Sequence, residues 1–339
     1  MLHSIATNLF IFYLFFKLYS CKKSVHESFE PFSSTLCRMY KGCFSILIFL
    51  HHASMMLPEN KLLQYMHPIG YLSTGGFFFL SGYGLLKSYD IKGDTYSSGF
   101  LKKRFLTLFP VYFIMFCIYI YLYKFCGQTI RFDLLKTGKT IVVFGWYVWS
   151  IGLYYLLFKV FLKLKLSKQK ILFGTIIYVC CYVYILRKLN FDYWWFVSIH
   201  MICFGMFWEI YEDKLITVFK SYKKIMMPCM ILIFLVTLFC CPSYVWNNSG
   251  RYIDYVIRTI FVMVLFLFWI VSNKLTGKWL EKFSIVSYEF YLAHGFALAV
   301  IPASFFLYLP TAFIFSYIFA VSLHKITNMI TQKTYCKML

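Results

Sequence analysis

Ten apolar runs of roughly 16–22 residues recur along the chain, at about 42–57, 69–86, 105–123, 140–158, 171–186, 193–211, 225–241, 255–273, 283–301 and 304–323. Each is long enough, or nearly so, to cross the roughly 30 Å hydrocarbon core of a bilayer as an α-helix. Lipid offers the backbone no hydrogen-bond partners, so a span must satisfy its own N–H and C=O groups. A shorter run, Ile5 to Phe16, lacks the basic leading region and the small-residue cleavage site of a secretory signal. It reads as a further helix. No intervening segment is long enough for a soluble domain. At 61% hydrophobic and 14% charged, the chain also carries too much apolar surface for one soluble core, since soluble domains hold about 45–50% and about 25%. The expected fold is an all-α polytopic transmembrane bundle of 10–11 helices.

The formal charge of +21 would suggest a nucleic-acid partner if it lay on a soluble domain. Here the basic residues fall between the apolar runs, and 25 of the 34 sit on one side of the resulting topology. Positive charge marks the cytoplasmic side of a membrane protein. The expectation is a multi-pass protein of a cell membrane, a bacterial inner membrane, with a cytoplasmic C-terminus, lipids around it and no nucleic acid bound. Residues 1–40 form a leading segment with a possible extra helix, 41–325 the membrane domain and 326–339 a cytoplasmic tail.

Ionisable groups inside such runs are expensive and are candidates for function. Lys41 opens the first run and His52 lies eleven residues later. Eleven steps of about 100° make three turns plus about 20°, so the two share a helix face about 16 Å apart. His51 points about 100° away. A cation at the mouth and an imidazole at depth suit a ligand with an anionic head and a reacting end. The plainer alternative is a basic flank and a histidine tying helices together. The segment "FLKKRFLTLFPVY" places Lys102, Lys103 and Arg104 before a helix carrying Pro110. These cations can bind phosphates, or simply orient the helix. In "FSIVSYEFYLAHG", Ser284, Ser287, Tyr291 and His294 fall at steps of three, four and three, one stripe of a helix. That stripe either lines a cavity or joins helices. The aromatic pairs Trp194-Trp195 and Trp146/Trp149 lie near run ends, where interfacial rings are favoured.

No Walker loop, G-x-S-x-G or H-E-x-x-H occurs, and the twelve cysteines include no C-x-x-C. No metal site is expected. The residues leave open an enzyme, or a transporter or flippase using intramembrane histidines as a proton relay.

The order of these segments resembles the integral-membrane acyltransferase 3 family over about Lys41 to Tyr317. Lys41-x10-His52 is similar to the family's basic residue, ten residues, then histidine. "GGFFFLSGYGLLKSY" (75–89), with Ser81-Gly82, resembles its second helix, "FLKKRFLTLFPVYF" its basic segment, and "WYVWSIGLYYLLF" (146–158) and "SYEFYLAHG" (287–295) two further blocks. The family's basic segment usually has a second arginine three residues after the first; here that position is Thr107. The resemblance implies an acyl-CoA donor, most often acetyl-CoA, as co-substrate with no bound cofactor, and a hydroxyl acceptor on a surface polysaccharide or glycolipid. It implies His52 as the catalytic residue and Lys41, Lys103 and Arg104 as donor-binding. His51, Ser81, Ser287, Tyr291 and His294 are candidates to line the cavity.

Overall fold

The computed structural model describes residues 7, 9, 10, 13, 14, 21–23, 30–127, 138–222, 225, 228 and 252–336. Most of the run at 225–241 and most of the leading run at 5–16 lie outside the described residues. Strand β1 (Cys21–Lys23) pairs antiparallel with β2 (Asn273–Leu275), Cys21 opposite Leu275. Apart from this three-residue ladder, the regular structure described is helical.

Helix α1 (Ser34–Met56) stops at Leu57 because Pro58 disfavours helical backbone in the residue before it. The Asn60 side chain accepts the Leu63 N–H at 2.9 Å and caps a one-turn helix, Lys61–Gln64. Helix α2 (Ile69–Lys92) follows Pro68. After a 3-10 turn come α3 (Phe100–Phe125) and, past residues 138–145, α4 (Trp146–Lys163). Next are α5 (Lys168–Lys188), with Ser167 as N-cap, and α6 (Met201–Ile210). The order closes with α7 (Tyr252–Ser272), α8 (Lys278–Ile285), α9 (Ser287–Val300) and α10 (Tyr308–Cys336).

Among the described residues, three helices are both long and apolar enough to cross a membrane: α3, α5 and the Tyr308–Thr331 part of α10. The pair α8–α9, bent by 78°, counts as a fourth if it is one span. The protein is an all-α helical membrane protein, with fewer uniform spans among the described residues than there are apolar runs. The reasons are local. Helices α1 and α2, at 23 and 24 residues, are long enough to span, but they pack inside the bundle and carry polar residues there. The run at 193–211 yields only the ten-residue α6, preceded by a 3-10 turn at Tyr193–Trp195. The run at 283–301 is broken at Val286, so Ser284 lies on α8 and only Ser287, Tyr291 and His294 share α9. Helix α10 continues to Cys336, through part of the segment expected as a tail.

Helix α1 occupies the middle, against α2, α8 and α9, while α10 packs on α9 and α3. Helices α2 and α6 cross at close range. A Cβ on Gly82 would lie 2.2 Å from the Ile202 carbonyl oxygen, and one on Gly205 2.0 Å from that of Phe79. Each glycine admits the other helix's backbone. In the middle of α3, Pro110 removes an N–H that would bond to the carbonyl of residue 106.

Candidate active site

His52 lies on the buried side of α1, and across from it α9 presents His294. His52 Nδ1 and His294 Nε2 are 2.7 Å apart. The other nitrogen of His294, Nδ1, is 3.3 Å from the Phe290 carbonyl one turn back. A carbonyl can only accept, so His294 Nδ1 carries a proton and, in the neutral ring, Nε2 is the acceptor. His52 Nδ1–H therefore donates to His294, which leaves the lone pair on Nε2 of His52. That nitrogen makes no hydrogen bond among the described residues.

His51 is placed differently. Its Nδ1–H donates to the His67 carbonyl at 2.5 Å. Its ring fills the space beside Gly70, where a Cβ would sit 2.4 Å from His51 Cδ2. The ring wedges α1 against the start of α2. Burial lowers the pKa of the neighbouring His67 imidazole. Four histidines thus gather here, yet among the described residues no group of three or more His, Cys, Asp or Glu is arranged to hold a metal ion.

His52 lines a cavity of about 410 Å³ that runs from α1 past the 138–144 segment to residues 193–198. Its walls include Trp146, Trp194, Tyr71, Tyr193 and Tyr255. Trp146 and Trp194, expected as interfacial anchors, face this cavity instead. Trp195 is buried and donates to the Gly138 carbonyl at 2.7 Å. Ser198 also lines the cavity; it is 1% exposed and its hydroxyl has no hydrogen-bond partner. Beside the cavity, burial raises the pKa of the Asp192 carboxyl, opposed by the charge of Lys139. His51 and Tyr291 are in the wall, whereas Ser81, Ser287 and His294 are not. Ser81 and Ser287 bond carbonyls of their own chain segment, Phe77 at 2.7 Å and Ser284 at 3.0 Å. A larger groove of about 950 Å³ between α5, α6 and α7, lined partly by His200, contains none of the sequence-derived site residues.

At the opposite end of α1 lies a group of cations. Lys87 pairs with Glu212 at 3.1 Å, Lys168 with Asp90 at 3.1 Å and Glu209 at 3.3 Å, and Lys165 with Asp94 at 2.5 Å. Lys41, Lys103 and Arg104 have no carboxylate partner among the described residues. Arg104 donates to the Tyr96 hydroxyl at 2.7 Å and lies over the Phe100 and Tyr155 rings. Lys41, half-buried, is within electrostatic reach of Arg104. Lys103 is exposed. Thr107, where the family's second arginine would stand, bonds the Lys103 carbonyl at 2.8 Å.

Phe144 has no counterpart among the sequence-derived candidates. Its ring lies flat on the His52 imidazole, centroids 3.4 Å apart and planes within 6°. No local signal marks it, because apolar composition does not separate a helix from a buried turn.

An imidazole pair with one ring in the wall of an aromatic cavity, eleven residues along α1 from Lys41, has the proton-handling chemistry that group transfer within an all-α membrane bundle requires. Comparison with known families supports that class: the model of an acyltransferase domain, acyltransferase 3, matches residues 39–324. The chain belongs to the acyltransferase 3 family. No curated protein and no solved structure matches it significantly.

Proposed function

We propose that the protein is an integral-membrane O-acyltransferase that moves an acyl group, acetyl in the simplest case, from acyl-CoA to a hydroxyl of a cell-surface polysaccharide or glycolipid. The observation that carries this reading is the placement of His52 in the wall of the aromatic cavity, with Lys41 on the same helix at the cation cluster. Lys41, Lys103 and Arg104 offer donors to the phosphates of the nucleotide. The aromatic walls offer apolar faces to a sugar ring, and the unpartnered Ser198 hydroxyl offers a hydrogen bond to it. The charge pattern supports a cytoplasmic position for the cation cluster and the C-terminus, with the cavity mouth outside.

In the direct route, Nε2 of neutral His52 takes the proton of the acceptor hydroxyl as its oxygen attacks the thioester carbonyl. The new C–O bond forms, the C–S bond breaks, and the proton passes from His52 to the departing thiolate. The Nδ1–H···His294 bond holds the ring while it carries charge. A second route runs through an acyl-imidazole on His52 Nε2. Lys41 lies toward the start of α1 and the aromatic cavity toward its end, which favours this route, since the acyl group alone then has to pass.

Membranes supplied with labelled acetyl-CoA should transfer label to glycan. The His52→Ala variant should fall by about 100-fold or more, the scale of a lost general base. Undiminished transfer in that variant would sink the mechanism. Label retained on His52 in the absence of acceptor would select the acyl-imidazole route. A transporter using the histidines as a proton relay would leave the glycan unlabelled.

A further inference from the structure

We infer that Phe144 is a positioning residue for His52, held against the imidazole by a strained turn; this rests on the acyl-transfer reading. Phe144 is a non-glycine residue with φ of 62°, a left-handed conformation that bulky side chains rarely adopt. Such conformations persist where the surroundings over-determine them, and they gather at functional sites. The surroundings here are specific. The Tyr291 hydroxyl donates to the Phe144 carbonyl at 2.6 Å. The Trp195 indole anchors the start of the segment at Gly138, and the Gly145 N–H bonds the Val142 carbonyl at 2.9 Å. Gly295, next to His294, leaves room for the ring: a Cβ there would lie 3.0 Å from Phe144 Cδ2.

A glycine would suit the backbone at position 144 better, and one stands beside it at Gly145. What phenylalanine adds is a flat ring over the His52 imidazole, parallel within 7° to His294 beside it, whose centroid is 5.6 Å away. That ring stops His52 from turning about its Cβ–Cγ bond, so Nδ1–H stays on His294 and the Nε2 lone pair stays available. Its π face also favours the positive charge that His52 acquires when Nε2 takes a proton or an acyl group.

The test separates ring from backbone with Phe144→Gly, Phe144→Leu and Phe144→Tyr in purified, reconstituted protein. Phe144→Gly should melt no lower than wild type, because the turn is relieved, yet its turnover should drop at least tenfold with donor KM within twofold. Phe144→Leu should lose turnover similarly, and Phe144→Tyr should recover to within about threefold of wild type. Independently of any transfer, diethyl pyrocarbonate should modify His52 at least threefold faster in Phe144→Gly, read by peptide mass spectrometry with His67 as internal reference. An unchanged His52 modification rate overturns the assignment, whatever happens to turnover. If wild type itself transfers nothing, the acyl-transfer reading fails, and the modification rate still decides whether Phe144 positions His52.

Discussion

A buried imidazole that must accept a proton on one nitrogen needs a partner for the other. His294 supplies it to His52 at 2.7 Å, and His294 is in turn oriented by the Phe290 carbonyl. Replacing His294 with Phe keeps a planar ring but strands the His52 Nδ1–H, an unsatisfied donor worth about 1–3 kcal/mol. Turnover should fall at least tenfold while donor KM stays within twofold, measured by steady-state kinetics in reconstituted vesicles. Asp192, in the loop before the 3-10 turn, gives a pH-dependent expectation. Burial raises its carboxyl above the usual range, and one oxygen has no hydrogen-bond partner. The folded state therefore holds this proton more tightly than the unfolded chain does. The charged carboxylate weakens the fold above the raised pKa, and that penalty fades as pH falls toward the ordinary carboxyl value near 4. Asp192→Asn should raise the melting temperature at pH 7, with the gain shrinking at about pH 4. The Lys41–His52 relation was legible in the sequence because both lie on one helix, where phase follows from counting. The His52–His294 contact was not, since no periodicity links α1 to α9. Nor was Phe144, whose backbone conformation leaves no mark in residue type.

Among the elements, the α2–α6 crossing depends on two missing side chains. Either carbonyl would sit well inside van der Waals distance of an added Cβ, and both are backbone groups, which cannot swing away. Gly205→Ala should destabilise the protein by about 1–3 kcal/mol, the scale of overpacking a filled interior. Gly84, on α2 two residues from Gly82, is the control, because nothing lies within 4 Å of a Cβ there. Gly84→Ala should melt at or slightly above the wild-type temperature, as expected for glycine removed from a helix interior. Thermal unfolding in detergent reads both. Apolar length predicted spans correctly where a helix lies on the outside of the bundle, as with α3 and α5. It gives no warning of the turn in the buried stretch before α6 at 193–211, which is as apolar as a helix, or of the 78° bend between α8 and α9 at 283–301. Burial satisfies an irregular backbone as well as it does a helical one, so composition alone could not tell them apart.

At the scale of the whole molecule, cations at the Lys41 end divide by partner. Lys87, Lys165 and Lys168 already face carboxylates, whereas among the described residues Lys41 and Arg104 face none and lie within electrostatic reach of each other. Two like charges held together without a carboxylate are eased by an anion. Lys41→Ala and Arg104→Gln should each raise donor KM about tenfold, the value of a charge-assisted bond of about 1.4 kcal/mol. Lys165→Ala should leave it unchanged. Initial rates against acetyl-CoA concentration check all three. The uninterrupted helix between Lys41 and His52 has a further consequence. On the proposed reading it is a ruler that sets how far from a bound charged head the chemistry occurs, and its length does not depend on which side chains clothe it. Conservative substitutions between Gly42 and Leu50 should be tolerated where packing allows. A single residue inserted there would swing the imidazole about 100° around the axis, so this stretch should accept changes of letter far more readily than changes of length.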